Sequence, residues 1–201
     1  MSIQPAAVAY TNRRLTRVSD AQIRGLAELL IDCVEGGASV GFMHPLSLPA
    51  ALDFWRRVAV AVDGGGRALL VAEDAAGLVG TTQLILDLPE NQPHRADLAK
   101  MLVHRRARRR GVGAALLRAA EDLGRDCGRT LLVLDTANGE AERLYARHGW
   151  QRVGVIPGYA LLPAGGHCDT TYFYRRLESA SATKRKSAYS KPGPTLQPTG
   201  E

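Results

Sequence analysis

Cysteine is scarce in this 201-residue chain, and the three that occur, Cys33, Cys127 and Cys168, lie far apart. No C-x-x-C pair is present. Neither a disulfide framework nor a zinc site is supported, and three reduced thiols are expected. Cys168 follows His167 directly, but no third or fourth ligand lies nearby, so no metal is assigned. Long hydrophobic runs are also missing; none approaches the ~20 residues of a membrane span. The N-terminal stretch, MSIQPAAVAYTNRRL, lacks the charged-then-apolar pattern of a secretion signal. A cytoplasmic protein with no membrane partner is therefore expected. Aromatic residues make up 5% of the chain, and none stands beside its one dense charge cluster.

What is present is ordinary globular material, 45% hydrophobic and 23% charged. The length suits one domain with a sizeable core. The formal net charge of +6 is local. The tail 178–201 carries a net +2 and the run 105–110 holds five arginines, which leaves the body near neutral. A nucleic-acid face would spread arginines over one surface and interleave aromatics for stacking. One cluster without an aromatic neighbour argues against a nucleic-acid partner. The tail itself, rich in Ser, Lys, Pro and Gly, reads as disordered.

Period and turn signals give an alternating order. Residues 13–19 read as a short strand after an N-terminal extension, 1–12. Ser19 or Asp20 can cap a helix through about 35, with Ile23, Leu26, Ala27, Leu30 and Val34 at helical spacing. A glycine- and proline-marked loop, 36–49, precedes a second helix at about 49–62. Residues 67–74 and 77–88 read as a hairpin, and 97–104 as a further strand. A helix at about 111–127, a buried strand at 130–136 and a helix at 138–149 follow. Strands at 150–161 and 168–177 end the domain. This order implies one α/β domain with a mixed sheet covered by helices on both faces.

The stretch VHRRARRRGVGAALL, 103–117, carries the chemistry. A strand runs into a polar loop, then Gly111, Val112 and Gly113, then a helix. Glycine lets backbone amides approach a ligand. A helix start offers unpaired N–H groups and partial positive charge, which suits phosphate. A P-loop needs Lys and Ser/Thr after its second glycine, and a dinucleotide fingerprint needs a third glycine where Leu116 stands. Both are excluded.

The remaining pattern, Arg108-x-x-Gly111-x-Gly113, resembles the acyl-CoA signature of the GNAT family of N-acetyltransferases. Asn138-x-x-Ala141-x-x-x-Tyr145 followed by RHGWQRVG resembles that family's second motif. The element order is similar from about 13 to 177. The resemblance implies a mostly antiparallel central sheet in which two parallel strands splay beside acetyl-CoA, the acetyl donor. Within the family, the stretches around IDCVEGGASVGFMHPLS and ENQPHRADLAKMLVH look most like the tabtoxin-resistance branch, which acetylates an amino-acid-like toxin.

By this resemblance the backbone at Met101, Leu102 and Val103 pairs with the pantetheine amides. The amides of Arg109, Arg110, Gly111, Val112, Gly113 and Ala114 hold the pyrophosphate. One or two arginines of 105–110, Arg108 among them, reach phosphates, and the others are solvated. Asn138 either bonds the pantetheine arm or caps its helix. Tyr145 stands near the sulfur as general acid; a phenol, with pKa near ~10, can protonate a thiolate near ~8.5. Asp135 and Asp97 are the candidate acids that receive the substrate ammonium, with His94 as a third candidate. Phe42 lies in a candidate lid, 36–46, over the acceptor. Lys100, alternating with Met101, reads as a strand-edge charge.

The expected function is acetyl transfer to a small-molecule primary amine by a monomer or homodimer. Transfer to a protein or peptide amine from the same donor site is the alternative. An acyl-CoA sensor without turnover is a third reading, opposed by Tyr145 and the two acids.

Overall fold

The computed structural model describes residues 10–178. The tail from 179 and residues 1–9 of the expected extension lie outside the described residues. The elements are β1 Thr11–Leu15, α1 Asp20–Glu35, α2 Leu48–Asp63, β2 Arg67–Asp74, β3 Gly77–Ile85 and β4 Arg95–Val103. A 3-10 turn at Arg105–Ala107 leads into α3 Val112–Asp126, then β5 Leu131–Thr136, α4 Gly139–Arg147, β6 Gln151–Leu161 and β7 His167–Arg176. The order agrees with the sequence expectation. The first strand is shifted: it begins at Thr11, inside the expected extension, and ends before Val18.

Local chemistry explains the boundaries. Ser19 closes a capping box on α1. Its hydroxyl accepts from Gln22 N at 3.3 Å, and its own N–H donates to Gln22 Oε1 at 2.9 Å. Ser47 caps α2 with a single bond, its hydroxyl accepting from Ala50 N at 3.4 Å, with Pro49 inside the first turn. Gly149, at φ 77°, lets the chain leave α4.

The sheet order is β1-β2-β3-β4-β5-β7-β6. Every pairing is antiparallel except β4 with β5. Strand alternation divides the core between two faces. Ala68, Leu70, Leu132 and Leu134 face α3 and α4, together with Tyr145, Trp150 and Phe173. Leu69, Val71 and Leu102 face α1 and α2 around Trp55. The second cluster contains no residue of β5, β6 or β7. On that face, beyond β4, no helix among the described residues lies above the sheet. Among the described residues, no helix is long and apolar enough to cross a membrane.

Candidate active site

Strands β4 and β5 are paired at only three positions, Arg95 to Leu131, Ala96 to Leu132 and Asp97 to Val133. They part beyond that point. The cause lies in β4, where Gln83 opposes Ala99 and Thr81 opposes Leu102, so β4 carries one residue more than β3. This bulge holds Lys100 at φ 52°, in the left-handed region that a non-glycine residue rarely adopts. The extra residue bends β4 away from β5 and leaves Met101 to Val103 without a β5 partner.

A groove of about 390 Å³ occupies the opening. Its lining includes Met101, Leu102, Val103, Arg108, Arg109, Gly111, Val112, Gly113, Ala114 and Asn138. These are the expected donor-site residues with one exception: Arg110 does not line the groove. Gly111, at φ 81°, starts α3 without a side-chain cap hydrogen bond. Among the described residues, the first N–H groups of α3 therefore lack a side-chain cap, beside Arg108 and Arg109. Gly80, unremarked in the sequence, seats α3. A Cβ there would stand 2.9 Å from both Val112 and Leu116. Unpaired strand edge, bare helix start and flanking arginines suit an elongated ligand with amides at one end and phosphates at the other.

The arginine cluster is divided in its roles. Arg105 donates from its backbone N–H to Asp32 Oδ2 and from Nε to Asp32 Oδ1, each at 2.8 Å. Arg106 Nη1 lies 2.5 Å from Asp74 Oδ2. These two arginines are structural pins, which corrects the expectation that those not reaching phosphates are simply solvated. Arg109 faces Glu140 at 3.6 Å, and Arg108 Nε donates to Val103 O at 3.3 Å. Asn138 caps α4, its Oδ1 accepting from Glu140 N and Ala141 N at 2.8 and 3.3 Å, and it lines the groove as well.

Tyr145 is more enclosed than a groove-lining phenol. It is 3% exposed, with its ring 5.8 Å from those of both Trp150 and Phe173. Its neighbours Ala141 and Leu144 line the groove. Burial, and after it the charge of Asp135, push the phenol well above its ordinary range.

Asp135 is exposed at the parting of the strands and accepts from Thr170 Oγ1 at 2.8 Å. Tyr172 stands opposite it in the β5–β7 register. The hydroxyl of Tyr172 donates to Tyr159 at 3.2 Å, and that bond, then burial and Asp135, raise its pKa to about 12. Neither tyrosine was expected, although the alternation in TTYFYRR does set Tyr172 on the face of Asp135. Asp97 shares that face but is ion-paired to Arg95. His94 is corrected: it is exposed and precedes β4, at the end away from the opening.

Phe42 packs edge-on against Phe54 with centroids 5.2 Å apart. Its loop is tied down through His44 N to Pro163 O at 2.9 Å and Ser39 Oγ to Leu161 O at 3.2 Å. The loop 36–46 therefore bridges to the β6–β7 hairpin over the uncovered face. Lys100 is corrected as well. It is no edge charge: its Nζ lies 5.9 Å from the Phe42 centroid and 5.6 Å from that of Phe54. Among the described residues, no group of three metal-ligating side chains is arranged to hold a metal ion.

Residues 65–152 match the acetyltransferase (GNAT) domain model. A protein described as an acetyltransferase from Salmonella typhimurium, solved with its cofactor acetyl-CoA, superimposes with a TM-score of 0.68. It shares 19% identity over 85% of this chain and 95% of its own. The ribosomal-protein-alanine N-acetyltransferase of Brucella melitensis gives 0.70 at 20% identity over 83% and 99%. A protein described as a phosphinothricin N-acetyltransferase gives 0.70 at 18% over 85% and 100%. At these identities the likeness establishes the fold.

Proposed function

We propose that this chain, an acetyl-CoA-dependent N-acetyltransferase of the GNAT type, transfers its acetyl group to the primary amine of a small, amino-acid-like molecule. The single observation that carries the reading is the three-residue pairing of β4 with β5, opening beside the uncapped start of α3. It supplies a strand edge for amides and an anion cradle for phosphates in one groove. Acetyl-CoA supplies the thioester carbon that the amine attacks.

The chain's own groups manage two protons. An acceptor amine arrives mostly protonated, since its pKa is about 10. Asp135, exposed at the opening and free of an ion pair among the described residues, binds that ammonium and takes its proton. The amine nitrogen then bonds the acetyl carbon as the carbon–sulfur bond breaks, and the second proton it gives up replaces the one that Tyr145 passes to sulfur. Tyr145, held protonated by burial, returns a proton to the leaving sulfur. Asp97, committed to Arg95, contributes negative field instead of proton transfer.

A small acceptor is favoured by the tied loop 36–46, which closes the face that a peptide groove would need open. The resemblance to the tabtoxin-resistance branch narrows the class to an antibiotic or toxin that acetylation inactivates. The test is thiol release from acetyl-CoA against amino acids, amino-acid-like toxins, aminoglycosides, polyamines and lysine peptides. Turnover confined to amino-acid-like amines is expected. Turnover confined to peptides would replace the small-molecule reading with the protein one. Absence of acetyl-CoA binding by calorimetry would end both.

A further inference from the structure

On the face of the sheet that α1 and α2 cover, beside the opening, hydrogen-bond donors gather, with Asp97 and Asp135 as the carboxylates of the same face. The register places Arg67, Ile85 and Asp97 in one row, and Leu69, Gln83 and Ala99 in the next, on a common face. The Lys100 bulge follows directly. Arg67 Nη1 donates to Gln83 Oε1 at 2.6 Å and makes no ion pair among the described residues. Gln83 is 1% exposed, and among the described residues its Nε2 has no hydrogen-bond partner. A buried amide donor left unpaired is costly unless a ligand completes it.

Lys100 is the third donor. Phe42 and Phe54 flank its ammonium, and a Cβ placed on Gly41 would stand 3.7 Å from it. The aromatic faces stabilise a cation with little water around it. Its charged neighbours are Arg67 and Asp135; burial first and then Arg67 lower its pKa, against Asp135. Two cations sharing a partly buried site repel each other, and an arriving anion relieves that repulsion.

We propose that Lys100, Arg67 and Gln83 form a subsite for the carboxylate of the acceptor, whose amine is delivered to Asp135. The inference rests on the acetyl-transfer reading above and deepens it. It assigns the acceptor to the zwitterionic amino-acid class and sets it apart from the polycationic aminoglycosides and polyamines. It also gives loop 36–46 a specificity role, because Phe42 and Gly41 confine the ammonium that selects the carboxylate.

The test compares each amino acid of the panel with its own amide in the full chain. Amidation removes the carboxylate and lowers the amine pKa, so a loss of rate cannot come from a scarcer free amine. The acid is expected to exceed its amide by about 10- to 100-fold in kcat/KM, mostly through KM, as loss of a charge-assisted contact implies. Lys100→Met and, separately, Arg67→Met should collapse that preference while acetyl-CoA still binds by calorimetry. The same acids and amides are run as ligands in thermal-shift titrations with CoA present, which reads the subsite without turnover. Carboxylate-dependent stabilisation lost in both variants supports the subsite. Equal acid and amide behaviour in the wild type, or a preference unmoved by both variants, overturns it. A protein that does not bind acetyl-CoA fails at the acetyl-transfer reading, and that outcome is separately visible.

Discussion

Asp32 on α1 receives both the backbone N–H and the Nε of Arg105, each at 2.8 Å, and so ties the first helix to the loop that enters α3. Burial alone would raise the Asp32 carboxyl, but the Arg105 backbone and side-chain bonds, with His104, outweigh it and hold it below its usual range. A depressed folded-state pKa adds stability above the unfolded value of about 3.9, and that stability is lost as pH falls through the folded value. Asp32→Ala should cost about 2 kcal/mol. It should weaken acetyl-CoA binding and flatten the acid limb of the stability curve, read by thermal melts between pH 3 and pH 7.

The division of the arginine cluster gives opposite outcomes for two neighbours. Arg106→Gln removes the partner of Asp74, whose side chain is 5% exposed. It should lower Tm and leave acetyl-CoA affinity unchanged. Arg108→Gln should leave Tm unchanged and raise the acetyl-CoA Kd by about tenfold, the loss of one charged contact. Calorimetry beside melting curves separates the two.

Tyr145→Phe should lower kcat by about 100-fold with little change in acetyl-CoA KM. The phenol makes no hydrogen bond among the described residues, so the variant should melt near wild type. Because burial raises the phenol pKa, the acid form persists through the whole neutral and mildly alkaline range. No alkaline loss of kcat belonging to Tyr145 is expected below pH 10. A wild-type profile falling between pH 8 and 9, with the fall absent in the variant, would contradict this assignment.

Asp135→Asn keeps the shape and the Thr170 contact while removing the base. The expected loss is about 100-fold in kcat/KM, within the range of general-base contributions. Asp97→Asn should lose much less, since Asp97 already pairs with Arg95. Equal losses in the two variants would assign the proton relay to both acids.

Gly80→Ala tests the seating of α3. The added methyl meets Val112 and Leu116 at 2.9 Å and the Leu102 carbonyl at 3.2 Å. Overpacking of this kind costs about 2 kcal/mol, or about 4–8 °C in Tm for a domain of this size. The displaced helix start should also weaken acetyl-CoA binding, measured by the same calorimetry.

Much of this was legible in the chain. The Ser19 and Asn138 caps, the glycines at 111 and 113, and the period of each helix are local signals, written within a few residues of where they act. The donor groove is built mostly from two such stretches, Met101 to Ala114 and Asn138 to Arg147, which is why sequence reading reached it. His94 was misjudged because loop position does not say which end of a parallel pair opens. Lys100 was misjudged because alternation assumes a regular strand, and a bulge breaks the alternation at that residue.

The sequence by itself determined the element order, the helix caps and the glycine turn that makes an anion cradle, because each depends on neighbours in the chain. Only the tertiary structure decided where β4 leaves β5. It also decided that Asp32 and Asp74 hold Arg105 and Arg106, that Arg67 bonds Gln83, and that Lys100 lies beside Phe42 and Phe54. Those relationships join residues 16 to 73 positions apart. They follow from sheet register and helix docking, which collect side chains by distance in space, where local periodicity carries no record of them.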